Sequence, residues 1–284
     1  MAAEIRKVGV VGLGAMGGGI AQLCVEAGID TVGREVTLEL AEKAHDRIAH
    51  FLTRKVEKGQ LEQAARDAAV ARLTLTSGVA DLADCDFVIE AIVEELGPKQ
   101  ELFRELERVC RADAVLATNT SALSVTEIAS ALSTPERVVG MHFFKPAPLM
   151  PLVEIVRAQL SSDDAFESAY ALGEKLGKHP IRCFDTPGFV VNRVLIPLLN
   201  DCIRVLDEAR VSVEDLDAGM KYGTGWPMGP CELVDLVGID VHVHASEALY
   251  AKTREPRMAP PPRLVAMANA GLLGRKSGRG FYTY

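Results

Sequence analysis

Residues 8–25 read VGVVGLGAMGGGIAQLCV, eighteen positions without a charge, six of them glycine. Val8–Val11 is a compact run that predicts a buried strand, and Ile20, Leu23, Cys24 and Ala27 then recur at helical spacing. Between them Gly12-Leu13-Gly14-Ala15-Met16-Gly17 forms a G-x-G-x-x-G loop, entered from a strand and left by a helix. Gly12 permits the tight turn, Gly14 lets a pyrophosphate approach the backbone, and Gly17 lets helix and strand pack closely. The helix N-terminus adds N–H groups and a positive dipole end for the phosphates. Glu35, eighteen residues past Gly17, ends the next predicted strand, where a carboxylate would accept ribose hydroxyls. The expectation is a dinucleotide bound by residues 12–17 and Glu35. Glu35 favours NAD, whereas Arg34 beside it leaves NADP open. An uncharged stretch of this length also raises a membrane span. Its six glycines, and the lack of a basic segment leading into an apolar run, argue against an anchor or a signal peptide.

Outward from this loop, the first half alternates short apolar runs with helical patterns. Strands are expected at Thr31–Val36, Phe87–Val93, Val115–Thr118, Val138–Phe143 and Leu152–Val156. Helices are expected at Leu38–Lys58, around Gln100–Cys110 and at Leu123–Leu132, the last opened by a capping-box spacing of Ser124 and Glu127. This alternation predicts an α/β domain over residues 1–186, with a mostly parallel sheet covered on both faces. After Thr186-Pro187-Gly188 the pattern changes. Phe189–Leu206 is largely apolar, with Pro197 expected to kink it, and Val213–Met220, Cys231–Val237 and Val241–Tyr250 also look helical. Residues 187–284 are therefore read as a smaller all-helical domain. Its apolar first helix suggests burial against a second copy, a homodimer.

Composition narrows the class. Of 284 residues, 48% are hydrophobic and 25% charged, the balance of a folded globular chain. With 31 Lys+Arg against 39 Asp+Glu, the net charge of −8 disfavours a nucleic-acid partner. Six well-separated cysteines contain no C-x-x-C, so neither a metal site nor a redox pair is expected, and reduced thiols in the cytoplasm are the simplest reading.

A second constellation carries the chemistry. Met141-His142-Phe143-Phe144 ends an apolar strand, where parallel sheets present ligands. Leu152-Val153-Glu154-Ile155-Val156 follows after Pro146, Pro148 and Pro151. A carboxylate alone among four apolar residues needs a partner, and His142 is the near candidate. Such a pair fixes the imidazole tautomer and stabilises the imidazolium. Beside a nicotinamide it would remove an alcohol proton as hydride leaves the same carbon. No G-x-S-x-G elbow is present, and the serine of Asn119-Thr120-Ser121 suits a hydrogen-bonding role just beyond a strand.

With these residues assembled, the chain resembles the 3-hydroxyacyl-CoA dehydrogenases, especially their short bacterial 3-hydroxybutyryl-CoA members. The resemblance runs through GLGAMGGGIA (12–21), VIEAIVE (88–94), TNTSALS (118–124), MHFFKPAPLMPLVE (141–154), TPGFVVNR (186–193), PMGP (227–230) and GRKSGRGFY (274–282). It implies a Rossmann-type domain followed by a helical domain, and interconversion of an (S)-3-hydroxyacyl-CoA and its 3-oxo form. It implies His142 as base and Glu154 as its orienter, with Ser121 and Asn192 holding substrate oxygens. It places Glu94, Lys99, Asn119, Ser121, Lys145 and Lys276 near the cofactor, and Arg54, Lys55 and Lys58 near the CoA phosphates. For those three, a solvated basic face is an equal alternative. The family pattern has asparagine where this chain has Lys145 and lysine where it has Pro151. Two other readings stay open, a dehydrogenase of free 3-hydroxy acids or sugar acids and a catalytically silent NAD-binding protein.

Overall fold

The computed structural model describes residues 5–284, and the chain divides into two compact units, 1–186 and 187–284. The first unit is built on one sheet of eight strands: β1 (Lys7–Val11), β2 (Asp30–Arg34), β3 (Leu73–Thr76), β4 (Phe87–Glu90), β5 (Val115–Thr118), β6 (Val138–Phe143), β7 (Leu152–Arg157) and β8 (His179–Phe184). Their order is β3-β2-β1-β4-β5-β6-β7-β8, and every pairing is parallel except the antiparallel β6–β7. Helices α1 (Ala15–Glu26), α2 (Leu38–Glu57), α3 (Gln63–Ala71), α4 (Leu96–Val109), α5 (Val125–Ala129) and α6 (Asp163–Lys175) complete it. This is the doubly wound, Rossmann-type arrangement, with the order reversing at β1 and a crevice beyond the carboxyl ends of β1 and β4. The central strands are buried along their whole length, β4, β5 and β6 at every position, which is why they read as unbroken apolar runs.

Two strands and two helices of this unit, and the last helix of the second unit, Pro262–Asn269, are absent from the sequence reading. β3 is a four-residue edge strand, LTLT, and β8 at the other edge opens on His179-Pro180, so neither carries a continuous apolar run. α3 buries only Ala69 and so lacks an apolar stripe, and α6 likewise escaped it. Boundaries also moved. The second strand stops at Arg34 rather than Val36, the fourth at Glu90 rather than Val93, and the helix expected at Leu123–Leu132 contracts to α5. Ser124 does cap α5, its hydroxyl accepting from the Glu127 N–H at 3.2 Å.

The second unit consists of α7 (Val191–Glu208), α8 (Val213–Thr224), α9 (Pro230–Val237), α10 (Ile239–Thr253) and α11 (Pro262–Asn269), and its described residues form no extended strand. Leu199, Ile203 and Leu206 of α7 pack with Val234, Ile239, Val243 and Leu264 as its core. Pro197 lies inside α7, which continues unbroken to Glu208. Among the described residues no helix is long and apolar enough to cross a membrane.

Candidate active site

The loop between β1 and α1 is closed behind and open in front. Gly12 sits at φ +85°, and a Cβ on Gly17 would lie 1.7 Å from the Gly12 carbonyl oxygen, so both positions demand glycine. A Cβ on Gly14 would meet nothing within 4 Å, and no side chain caps the N-terminus of α1. An uncapped helix N-terminus behind an open glycine fits a pyrophosphate. Glu35, just past β2, accepts from the Leu13 N–H at 2.7 Å and from the Val36 N–H at 3.0 Å, which places its carboxylate against the loop. Arg47 of α2 donates to the Leu13 carbonyl at 2.9 Å, a second brace with no motif to announce it. Arg34 donates instead to the Ser77 carbonyl at 3.3 Å.

His142 and Glu154 are direct partners across the antiparallel β6–β7 pair. The Nδ1–H of His142 donates to Glu154 Oε2 at 2.6 Å, with the glutamate fully buried and the histidine nearly so. The sheet thus supplies the alignment: opposite residues share a face, and a one-residue slip would turn the two side chains apart. With Nδ1–H donating to the carboxylate, Nε2 is the basic nitrogen of the ring. The Phe144 ring packs against the imidazole with centroids 4.6 Å apart.

A second buried carboxylate organises the ends of β4 and β5. Glu90, at 0% exposure, accepts from Lys99 Nζ at 2.5 Å, Thr118 Oγ1 at 2.7 Å and the Ile92 N–H at 2.7 Å. Lys99 is only 1% exposed and also lies 3.3 Å from Glu94, so its charge is committed to two carboxylates. Glu94 Oε1 accepts from Thr120 Oγ1 at 2.6 Å and from the N–H groups of Ser121 and Ala122 at 2.8 and 3.1 Å. Burial pushes the Glu94 carboxyl up, but the Thr120 bond, the Lys99 charge and those N–H groups outweigh it and hold it below the usual carboxylate range. Ser121 stays exposed on this braced loop, and Asn119 Oδ1 accepts from the Phe143 N–H at 3.0 Å, tying the loop to the end of β6. Sequence reasoning passed over Glu90. Its signal was present, since a lone carboxylate closing the apolar run FVIE is the pattern that singled out Glu154.

Arg54, Lys55 and Lys58 line a cavity of about 610 Å³ in the same unit. Its other walls are Gly14, Ala15 and Gly19 of the glycine loop and α1, Phe51 of α2, and Lys145, Pro148 and Leu149 of the β6–β7 connection. Lys145 therefore shares a cavity with Arg47, Arg54 and Lys55 of α2 and with Lys58 at its C-terminal end. Lys55 is ion-paired with Glu26, and Arg47, Arg54, Lys58 and Lys145 keep that wall positive. In the second unit, Asn192 lies in the first turn of α7, and Lys276 pairs with Asp240 at the start of α10 at 2.5 Å.

Comparisons with known proteins identify the family and the fold. Residues 7–186 match the family model described as 3-hydroxyacyl-CoA dehydrogenase, NAD binding domain, and residues 188–284 match 3-hydroxyacyl-CoA dehydrogenase, C-terminal domain. A 3-hydroxybutyryl-CoA dehydrogenase of Mycobacterium tuberculosis is 43% identical over 286 residues, covering 100% of both chains. The human mitochondrial hydroxyacyl-coenzyme A dehydrogenase is 38% identical, over 99% of this chain and 91% of the relative. The crystal structure of the (S)-3-hydroxybutyryl-CoA dehydrogenase of Ralstonia eutropha superposes with a TM-score of 0.95 at 39% identity, covering 99% of each chain.

Proposed function

The chain belongs to the 3-hydroxyacyl-CoA dehydrogenase family, as an NAD-dependent oxidoreductase, and on that premise we propose that it interconverts (S)-3-hydroxybutyryl-CoA and 3-oxobutyryl-CoA with His142 and Glu154 as its proton-handling pair. The observation that carries the reading is the buried 2.6 Å bond between these side chains, at the end of the sheet that also presents the glycine loop. Residues 12–17 and Glu35 would hold NAD, which when bound would supply the hydride acceptor for the alcohol oxidation. His142 Nε2 takes the proton of the C3 hydroxyl, and Glu154 balances the positive charge that the ring acquires. The family resemblance supports Ser121, whose N–H donates to Glu94, and Asn192 as the groups that hydrogen-bond the substrate's oxygens, and Lys99 and Lys276 as residues of the cofactor side. Arg54, Lys58 and Lys145 meet the anionic nucleotide end of the acyl-CoA in the cavity. A homodimer through the exposed apolar side chains of the helical unit, among them Val194 and Val205 of α7, and a cytoplasmic setting for its six free thiols belong to the same reading.

The test is turnover. Purified protein oxidises (S)-3-hydroxybutyryl-CoA with NAD, and His142→Gln keeps NADH affinity while losing on the order of 100-fold or more in turnover. Activity confined to free hydroxy acids would overturn the substrate, and unchanged turnover in His142→Gln would remove the histidine from the reaction.

A further inference from the structure

The connection between His142 and Glu154 has an anchor that no motif marks. Pro146, Pro148 and Pro151 remove three N–H donors from residues 144–151, so this loop has more carbonyls than its own amides can satisfy. The Leu149 and Met150 N–H groups both donate to the Pro146 carbonyl, at 3.0 and 3.1 Å. The carbonyls of Ala147, Pro148 and Met150 converge instead on one ammonium, Lys178 Nζ, at 2.7, 3.3 and 2.9 Å. An ammonium carries three donors, and here three acceptors from one loop receive them. The next residue completes the seam, because the His179 N–H donates to the Pro151 carbonyl at 2.7 Å. On its other side the loop rests on α1 at Gly19, where a Cβ would lie 2.8 Å from Pro148 Cδ. It is thus held between α1 and the residues that open β8.

We propose that Lys178 is a positioning residue that holds this loop, and with it Lys145, Pro148 and Leu149, as the cavity wall that receives the nucleotide end of the acyl-CoA. The choice of ligand rests on the function proposed above. The dyad itself is aligned by the β6–β7 register and does not need the clamp. Lys178 therefore governs how the substrate's remote end is bound rather than the proton step. Binding energy from a part of the substrate far from the reacting carbon shows chiefly in KM when the bound geometry at that carbon is kept. Burial, and then the charge of Lys55, lower the Lys178 pKa from its ordinary value, with Glu26 acting in the opposite direction.

The experiment compares Lys178→Met and Lys178→Arg with the parent chain on 3-oxobutyryl-CoA and on the same acyl group carried by N-acetylcysteamine, which lacks the nucleotide. It also follows hydrogen exchange at Leu149 and Met150 without ligand. The expected result for Lys178→Met is a rise of about tenfold in KM for the CoA thioester with kcat within about threefold. The truncated thioester changes less than threefold, exchange at both amides is at least tenfold faster, and Lys178→Arg recovers most of each effect. Unchanged exchange overturns the clamp, whether or not the parent turns over acyl-CoA. Equal losses on both thioesters overturn the link to the nucleotide end. A parent that turns over neither thioester refutes the proposed function, and the exchange measurement still decides the clamp.

Discussion

Each unit buries one histidine against a side-chain partner, and the partners differ by one functional group. In the sheet unit His142 donates from Nδ1 to the carboxylate of Glu154 at 2.6 Å. In the helical unit His242 of α10 donates from Nε2 to the amide oxygen of Asn200 on α7 at 2.8 Å. Asn200 in turn donates to the carbonyls of Arg257 and Met258 at 3.2 and 3.3 Å, so the network pins the segment leading to α11. A carboxylate can balance an imidazolium; an amide dipole offers no net charge to do so. Burial accordingly pushes the His242 ring down to about 4, and it stays neutral as a structural donor. The comparison sets the histidine proposed above to accept a proton beside one whose surroundings keep it neutral. Burial and hydrogen bonding are shared, and the charge of the partner makes the difference.

The sharpest way to break this comparison is to give His142 the partner that His242 has. Glu154→Gln keeps a hydrogen-bond acceptor opposite β6 but removes the balancing charge. Turnover is expected to fall on the order of 100- to 10,000-fold with NADH affinity retained, measured by steady-state kinetics and cofactor titration. Turnover within a few-fold of the parent would mean that orientation alone suffices.

The converse concerns acid stability. The folded-state value for His242 lies below its unfolded 6.5, so its neutral form contributes stability that is fully present above about 6.5. That contribution is lost as pH falls from 6.5 through about 4, where the unfolded chain takes up a proton that the folded chain resists. The amount is about 3 kcal/mol in all. Urea midpoints measured over this window should fall more steeply in the parent than in His242→Gln; parallel slopes would remove His242 as the cause. Smaller still is Asn200→Ala, which removes the acceptor of the His242 donor and the amide shared by the carbonyls of Arg257, Met258 and Ala259. It should cost about 2 kcal/mol in the same denaturation assay and leave kcat unchanged. A large fall in kcat would show that the helical unit's network reaches the chemistry.

The two regions also differ in how openly their sequence displays them. Glu154 stands out because it interrupts an apolar strand, and His142 because it ends one; both signals survive in one dimension. Glu90 gave the same signal in FVIE and went unread beside the glycine motif. Asn200 and His242 gave none, since a polar residue on a helix with mixed faces looks like any solvated position until its neighbours are known. The missed strands β3 and β8 sit at the sheet's edges, where short, interrupted runs suffice because only one side needs pairing. Lys145 was read as a cofactor contact from its place after HFF, and the fold sets it in a cavity with Arg54 and Lys58, some ninety residues away. Arg47 and Lys178 act through backbone carbonyls, and any lysine or arginine looks able to do that before the chain is folded.

Local patterns were legible in the sequence alone. A strand running into G-x-G-x-x-G, a carboxylate at the end of the second strand, and a histidine and glutamate each embedded in apolar runs are constraints that neighbouring residues impose on one another. They specify the doubly wound domain and single out the pair of side chains proposed above to handle a proton. Tertiary structure decided the rest, because it depends on distance across the chain. The antiparallel register puts His142 opposite Glu154, the burial of Lys99 binds it to Glu90, and the convergence of three loop carbonyls selects Lys178. The charge of a buried group's partner determines what that group can do, and partners are chosen by the fold.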